Sequence, residues 1–500
     1  MRETDGLQRV IRQTGIYAVG NIAVKASGLI LAPLYLNTAL LPADAYGQLI
    51  LLEATAQVAV PVAGLGLATG MLRFMSEPEE RRSPAIGFTT LILTLVLAVS
   101  AFVFLWFAAP VLGGFLLDDR SNTLLPRLMA AYAALKVVST VPYMLLRVRE
   151  RAGWYAISMI AEWTVLVVGV LYFLAVAQRG LEGVLIAYVA SAAVSAFAMG
   201  LFMLTHVEWR FNGRLVGRLL RFGVPLVLSA FAGLFLNVGD RYILKYLTDA
   251  ETVGVYGWAT RLGGAINMLF VQSFQLAFTV IGLKTIGTGD RSLYRRTFRH
   301  YTIWTGWAVL GLSLLSYDLT LLLVELFGVD PYYLQADVMV LPVALGFMGY
   351  GVYIVVNNVL YATNLTHIIG LNVLTAAAAN LVLNFALIPL LGALGAALAT
   401  TLSYGVLALL TARIAEKQIH VGYPWRILVI VIVLVVGLYL PGYLTTSWET
   451  FPRLSLRLLL ISMYIPLILI TGLYGREDLQ KGMKWIRDAR EGNTGGGEES

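Results

Sequence analysis

The stretch AIGFTTLILTLVLAVSAFVFLWFAA, residues 85–109, contains no charged side chain and decides the class of fold. A transmembrane helix needs about 20 consecutive, mostly apolar residues, so this run is long enough to cross a bilayer. The whole chain has the same character, because 58% of its 500 residues are hydrophobic and only 13% are charged. Soluble domains carry about 25% charged residues. The composition therefore excludes a soluble enzyme, a nucleic-acid-binding protein and a disordered chain, and it predicts an all-α integral membrane protein.

About fourteen apolar runs of this kind follow one another along the chain. The predicted spans are 14–38, 46–72, 85–109, 123–146, 153–177, 181–205, 221–246, 253–282, 300–324, 334–361, 366–390, 392–413, 425–441 and 454–474. The tails and every second connection hold 25 Lys and Arg residues, whereas the other connections hold 3, or 6 if residues just inside the spans are included. The positive-inside rule then places both termini in the cytoplasm and requires an even number of helices.

Two short motifs recur at nearly the same distance and predict an internal repeat. Tyr46-Gly47 opens the second span and Tyr256-Gly257 opens the eighth, 210 residues later. The sixth and twelfth spans begin with GLEG at 180–183 and GALG at 392–395, which are 212 residues apart. Two parallel six-helix units related by an axis along the membrane normal are typical of transporters that bind cargo between the units.

The repeat divides the chain into two lobes with short connections. The predicted segments are a cytoplasmic N-terminal segment 1–13, an N-lobe 14–205, a basic cytoplasmic linker 206–220, a C-lobe 221–413, two further helices within 414–474 and a cytoplasmic, partly disordered tail 475–500.

Three stretches resemble the polysaccharide (oligosaccharide) flippases of the multidrug/oligosaccharidyl-lipid/polysaccharide exporter (MOP) superfamily. They are GLGLATGMLRF at 64–74, GVYGWATRL at 254–262 and, most specifically, NLVLNFALIPLLGALGAA at 380–397. The resemblance implies a MOP/MATE-like fold of two six-helix bundles that alternate in access. It also implies a polyisoprenyl-diphosphate-linked glycan as cargo. In the related lipid II flippases two extra C-terminal helices help to form a groove for the lipid tail, and the last two spans are expected to act similarly.

Charged residues inside the predicted spans are the candidates for cargo binding, because each costs about 2.5–3.5 kcal/mol on insertion. Lys25 and Arg261 are predicted to hold the diphosphate, with Arg261 presenting a planar fork to it. Glu53 is expected to pair with one of these cations when no cargo is bound. Arg241 is a further candidate, near a gate or helix end.

A structural ion pair is the alternative for each of these charges. We prefer it for Lys136 in the fourth span and Glu162 in the fifth, which are expected to pair with each other. The third, sixth and tenth to fourteenth spans show no comparable mid-span charge.

Four polar residues suggest a site for a coupling ion. Asn380 and Asn384 share a helix face, Thr400 follows in the twelfth span, and Asp240 comes from the seventh. Their oxygens suit a hard cation such as sodium, and some lipid II flippases have a sodium site on the same three helices. Here Asn384 stands where that site has a second acid. Interhelical hydrogen bonding is the alternative.

The sequence thus predicts a transporter, not an enzyme, that flips a lipid-linked oligosaccharide across a bacterial or archaeal plasma membrane. The expected coupling ion is sodium or a proton, and no other cofactor is expected. Expected partners are the cargo, membrane lipids and polysaccharide assembly machinery, with the protein itself a monomer. Three alternatives stay open: a lipid II flippase, a multidrug cation antiporter, and a membrane glycan polymerase or ligase. The last class normally has a long external loop, which this sequence lacks.

Overall fold

A computed structural model describes residues 28–76, 85–275, 278, 282, 285 and 291–473. All regular secondary structure in these residues is helical. The helices are α1 (Ala32–Tyr35), α2a (Ala43–Gly64), α2b (Leu67–Ser76), α3 (Ala85–Leu116), α4 (Leu124–Val148), α5 (Ala152–Leu171), α6 (Gly180–His206), α7 (Gly213–Leu247), α8 (Ala250–Ile266), α9 (Arg291–Phe327), α10 (Asp337–Ala362), α11 (Thr366–Leu391), α12 (Ala393–Gln418), α13 (Trp425–Tyr443) and α14 (Thr450–Ile470). Short π-helical turns follow α5 and α8, at Tyr172–Val176 and Asn267–Val271.

The helices follow the predicted spans in order, with three differences. Eleven helices of the described residues are long and apolar enough to cross a membrane, and α7, bent by 41° between Val227 and Ala230, makes a twelfth. Most of the first predicted span, 14–38, lies outside the described residues. The helix α7 begins at Gly213, so half of the stretch predicted as a linker is helical.

The second predicted span is broken in two. Leu65 and Gly66 have left-handed backbone angles, with φ of 43° and 64°, and they separate α2a from α2b. A side chain strains such a conformation, and glycine does not. At this break the helix α7 comes so close that a Cβ atom on Gly223 would lie 2.0 Å from the carbonyl oxygen of Leu65.

Two six-helix lobes repeat the same packing. In the N-lobe α4 packs against α2a, α3 and α6, and in the C-lobe α10 packs against α8, α9 and α12. The predicted repeat recurs in the backbone as well, because Gly180 and Gly392 stand at the start of equivalent helices with positive φ angles of 53° and 57°. The structure therefore confirms the two parallel bundles expected from the sequence.

The lobes also meet at the opposite end of the bundle from Gly223, along a seam between α2a and α8. A Cβ atom on Gly47 would lie 1.6 Å from the carbonyl oxygen of Ala250, and one on Gly257 would lie 2.6 Å from the side chain of Ile50. The repeated Tyr-Gly pairs thus pack against each other's helices. Glycine is required at Gly47 because backbone touches backbone there.

The helices α13 and α14 are attached to the C-lobe by an ion-pair cluster on α9. Asp318 accepts hydrogen bonds from Arg453 at 2.8 Å and from Arg457 at 2.6 Å. The side chain of Arg457 is only 1% exposed. Both arginines lie near the start of α14, at the outer end of the predicted span, and a carboxylate from α9 stabilises them there.

Candidate functional site: an ion pair between the lobes and two cavities

Arg261 and Glu53 form an ion pair that connects the two lobes. The Nη2 atom of Arg261 donates to Oε2 of Glu53 at 2.8 Å and to Oε1 at 3.0 Å. The Nη1 atom donates to the carbonyl oxygen of Gly28, just before α1, at 3.0 Å. Both side chains keep some accessibility, 14% for Arg261 and 22% for Glu53. One guanidinium group therefore holds together α2a, α8 and the segment that leads into α1.

Three tyrosines surround this ion pair. The guanidinium carbon of Arg261 lies 5.5 Å from the ring centre of Tyr35 and 5.6 Å from that of Tyr46. Such a geometry adds cation–π attraction. The hydroxyl group of Tyr188 on α6 donates to Oε1 of Glu53. Sequence reasoning missed these tyrosines, because phenol side chains at helical spacing look the same as ordinary core residues.

The other residues predicted to bind cargo do not all lie at this ion pair. Lys25 is outside the described residues. Arg241 donates to the carbonyl oxygen of Asn237, one turn earlier on α7, at 2.9 Å. It also lies 3.8 Å from the carboxylate of Asp240. The structure thus places Arg241 beside the predicted ion site, whereas Arg261 is held by Glu53.

The four residues of the predicted ion site come together from α7, α11 and α12. Thr400 donates to Oδ2 of Asp240 at 3.1 Å and accepts from Asn380 at 3.5 Å. Asn384 donates to Oδ1 of Asn380 at 2.9 Å. Asp240 is 2% exposed, and both asparagines are fully buried. Tyr256, which the sequence did not suggest for this site, also donates to Asp240.

This arrangement fits a hard monovalent cation. The Oδ1 atom of Asn384 is buried and has no hydrogen-bond partner among the described residues. Buried acceptors are normally satisfied, so this one calls for a ligand. Carboxylate, amide and hydroxyl oxygens are the donors that hard cations prefer. The described residues contain no cluster of three or more His, Cys, Asp or Glu, which is the usual composition of a transition-metal site.

A large polar cavity lies in the C-lobe. It has a volume of about 700 Å³, and residues of α7, α10, α11, α12 and the stretch 267–275 that follows α8 form most of its wall. Its polar lining residues are amides, a serine and tyrosines: Asn237, Asn267, Gln272, Ser273, Gln275, Tyr350, Tyr353 and Tyr404. None of its described lining residues is charged. Sequence reasoning missed this cavity because neutral amides carry no electrostatic cost that would mark them as functional.

A smaller cavity, which we name the N-lobe recess, lies between α2a, α4, α5 and α6 and has a volume of about 350 Å³. Pro61 on α2a lines both cavities. Lys136 and Glu162 form the expected ion pair at 2.5 Å, and both line the recess. Glu53 lines the recess as well, so the ion pair between the lobes and the recess share a side chain.

Comparison with known proteins identifies the family. A sequence profile of the family described as "Polysaccharide biosynthesis protein" matches residues 10–279, which is more than half of the chain. No curated protein sequence matches the chain.

Solved transporter structures share the fold across nearly the whole chain. A lipid II flippase, MurJ, in an inward closed conformation aligns with a TM-score of 0.70 and 13% identity, over 92% of this chain and 99% of that one. An inward-facing multidrug resistance MATE transporter aligns with a TM-score of 0.63 and 15% identity, over 81% and 94%. A MOP superfamily transporter from Pyrococcus furiosus aligns with a TM-score of 0.58 and 16% identity, over 82% and 95%.

At these identities the structural likeness shows the fold, and the matching profile shows the family. The chain therefore belongs to the polysaccharide biosynthesis protein family, and it is a multi-pass membrane protein with the fold of these transporters.

Proposed function

We propose that the protein flips a polyisoprenyl-diphosphate-linked oligosaccharide across the plasma membrane of a bacterium or archaeon by alternating access. The flipped oligosaccharide serves surface polysaccharide biosynthesis. The observation that carries this proposal is the ion pair of Arg261 with Glu53, which lies at the junction of the lobes and shares Glu53 with the wall of the N-lobe recess. A cation held by a single, partly accessible carboxylate is open to exchange with a stronger anion.

A diphosphate is such an anion. It carries more negative charge than Glu53, and its oxygens match the planar fork of a guanidinium group. Arg261 exchanges Glu53 for the diphosphate when cargo arrives. Lys25, which comes shortly before Gly28 in the sequence, is the proposed second cation.

The sugars and the lipid tail of the cargo also meet groups of suitable chemistry. The C-lobe cavity offers neutral amides and phenols, which hydrogen-bond sugar hydroxyl groups. The lipid tail stays in the bilayer, where α13 and α14 extend the C-lobe. The lobes rock about the cargo and release the head group outside, while both termini stay in the cytoplasm.

We further propose that sodium bound at Asp240, Asn380, Asn384 and Thr400 couples to this cycle. The buried acceptor of Asn384 supports this assignment. Asp240 lies on α7, which contacts helices of both lobes. The binding of an ion there would therefore depend on how the lobes are placed relative to each other.

The alternative functions differ in the side chains that they require for binding cargo. A multidrug cation antiporter requires carboxylates that are free to bind cargo, whereas Glu53 and Glu162 each hold a cation of the protein. A lipid II flippase would use the same diphosphate chemistry and differs in the glycan. Complementation of separate strains, one lacking an oligosaccharide flippase and the other lacking a lipid II flippase, distinguishes these two cargoes.

Arg261 provides the direct test of the proposed function. We expect Arg261→Ala to lower complementation of a strain lacking an oligosaccharide flippase by about tenfold to a hundredfold, because charge-assisted hydrogen bonds are lost. Arg261→Lys keeps the charge but loses the fork, so it should retain part of the activity. The control is Arg179→Ala, which removes an exposed arginine in the α5–α6 connection. Normal complementation by well-expressed Arg261→Ala would overturn the proposal.

A further inference from the structure

The N-lobe recess has the surface chemistry of a sugar site. Its wall combines three aromatic side chains, an amide and an ion pair, namely Gln57, Tyr132, Lys136, Glu162, Trp163 and Tyr188. A pyranose ring has an apolar C–H face and an edge of hydroxyl groups that donate and accept hydrogen bonds. Aromatic side chains provide large, rigid contact surfaces for the face, and polar groups bind the edge.

The aromatic part of the wall comes from three helices. The rings of Tyr132 on α4 and Tyr188 on α6 have centres 5.3 Å apart and are inclined by 35°. Trp163 on α5 lines the same recess. A sugar ring entering the recess would therefore meet aromatic surface from α4, α5 and α6.

Some polar groups in the wall of the recess remain able to form hydrogen bonds. The indole nitrogen of Trp163 is buried and has no hydrogen-bond partner among the described residues. A buried donor without an acceptor costs free energy, so an acceptor is expected when the site is filled. Gln57 presents an exposed amide to the recess. The side chain of Lys136 stays 22% exposed although it pairs with Glu162.

The position of Glu53 relates the recess to the diphosphate. Its carboxylate binds Arg261 and also lines the recess. If a diphosphate takes the place of Glu53 on Arg261, as the proposed function states, the sugar joined to that diphosphate lies at the mouth of the recess. The released carboxylate of Glu53 is then available to its hydroxyl groups.

We propose that the N-lobe recess binds the sugar directly attached to the diphosphate, with Trp163 and Gln57 as specificity-determining residues. The inference rests on the proposed function and deepens it, because it assigns the first sugar to the N-lobe and the rest of the glycan to the C-lobe cavity.

Thermal stability of the purified full-length protein tests this proposal, because a bound ligand raises the melting temperature by mass action. The probes are geranyl diphosphate, which has no sugar, and four free sugars: glucose, galactose, N-acetylglucosamine and glucuronic acid. We expect at least one sugar to stabilise the wild type. Trp163→Phe, which keeps an aromatic ring, and Gln57→Ala should weaken that sugar's binding by roughly threefold to tenfold.

The control variant is Trp154→Phe, in the same helix but 55% exposed. It should respond to the sugars as the wild type does. Geranyl diphosphate should stabilise the wild type, Trp163→Phe and Gln57→Ala equally, because it contacts Arg261 and not the recess.

The two proposals fail in different ways. No stabilisation by any of the four sugars, or equal stabilisation of the wild type, Trp163→Phe and Gln57→Ala, would overturn the sugar site. No stabilisation of the wild type by geranyl diphosphate, or a response that Arg261→Ala leaves unchanged, would overturn the proposed function instead.

Discussion

The guanidinium group of Arg261 joins several parts of the molecule that are far apart in the sequence. Arg261 contacts Glu53 of the N-lobe, the carbonyl oxygen of Gly28 and the faces of Tyr35 and Tyr46. In the proposed cycle its partners change when cargo binds, so the free energy of this cluster would contribute both to the affinity for cargo and to the closure of the lobes.

Replacement of the competing carboxylate should therefore affect both properties. We expect Glu53→Gln to lower the melting temperature of the ligand-free protein, because a largely buried cation loses its partner. Geranyl diphosphate should then raise the melting temperature more than it does for the wild type, with binding roughly threefold to tenfold tighter.

The matched control is Glu182→Gln, which removes one partner of an exposed pair at 3.9 Å. A response to geranyl diphosphate that is the same in Glu53→Gln as in the wild type would contradict the exchange of anions on Arg261.

Asp240 allows an independent test of the ion site. Sodium chloride, compared with potassium chloride at equal ionic strength, should stabilise the purified wild type by about 1.4 kcal/mol when sodium is tenfold above its Kd. Asp240→Asn removes the only charge among the four proposed ligands, so the sodium response should disappear. Asp119→Asn, in the exposed α3–α4 connection, is the control and should keep it. An unchanged sodium response in Asp240→Asn would rule out this site.

At the scale of the elements, α2 contacts the C-lobe at both of its ends. The start of α2a touches α8 through Gly47, and the break between α2a and α2b touches α7 through Gly223. Both contacts bring backbone against backbone. If both termini lie in the cytoplasm, as the charge bias of the connections predicts, the Gly47 seam closes the outer side and the Gly223 seam closes the inner side.

A methyl group added at one of these two glycines should therefore open the transporter on the side of that seam. Gly47→Ala should favour the outward-open state and Gly223→Ala the inward-open state, because each Cβ atom would overlap a carbonyl oxygen in the closed seam. The reporter is Ala230→Cys in the wall of the C-lobe cavity, in a chain that has no native cysteine.

An impermeant thiol reagent added to intact cells should label the reporter severalfold faster with Gly47→Ala and no faster with Gly223→Ala. In inside-out vesicles the order should reverse. The controls are Gly64→Ala on α2a and Gly217→Ala on α7, where an added Cβ atom would meet no atom within 4 Å. Equal labelling of all four variants would show that these seams do not gate the cavity.

At the scale of the whole molecule, the distribution of charge orients the bundle. The charge bias of the connections predicts that both termini lie in the cytoplasm. The surface agrees with a lipid environment, since α3 exposes large apolar side chains such as Phe104, at 71%, and Phe107, at 77%.

Cysteine labelling in intact cells checks the orientation. Ser121→Cys, in the exposed connection between α3 and α4, should react with an impermeant reagent, whereas Ser500→Cys at the C-terminus should react only after permeabilisation. Labelling of Ser500→Cys in intact cells would invert the proposed topology and would exchange the inner and outer seams.

The sequence by itself determined the membrane class, the order of the helices and the two-lobe repeat. These properties depend on local composition, because each span is selected by its own transfer free energy into the bilayer. The motifs around 254–262 and 380–397 also led to the family before any contact was known. Mid-membrane charge marked Arg261 and Glu53, since such residues are costly wherever they lie.

The sequence anticipated the pairing of Lys136 with Glu162, but only the tertiary structure decided most of the other contacts between side chains. Helix rotation and crossing set the pairing of Arg261 with Glu53, and no local signal predicts that Arg453 and Arg457 share Asp318. The residues of the cavity walls could not be predicted from the sequence either, because helix packing brings them together. An amide such as Gln57 or an indole such as Trp163 carries no charge, so its role depends on the empty space beside it, and that space exists only once the helices have packed.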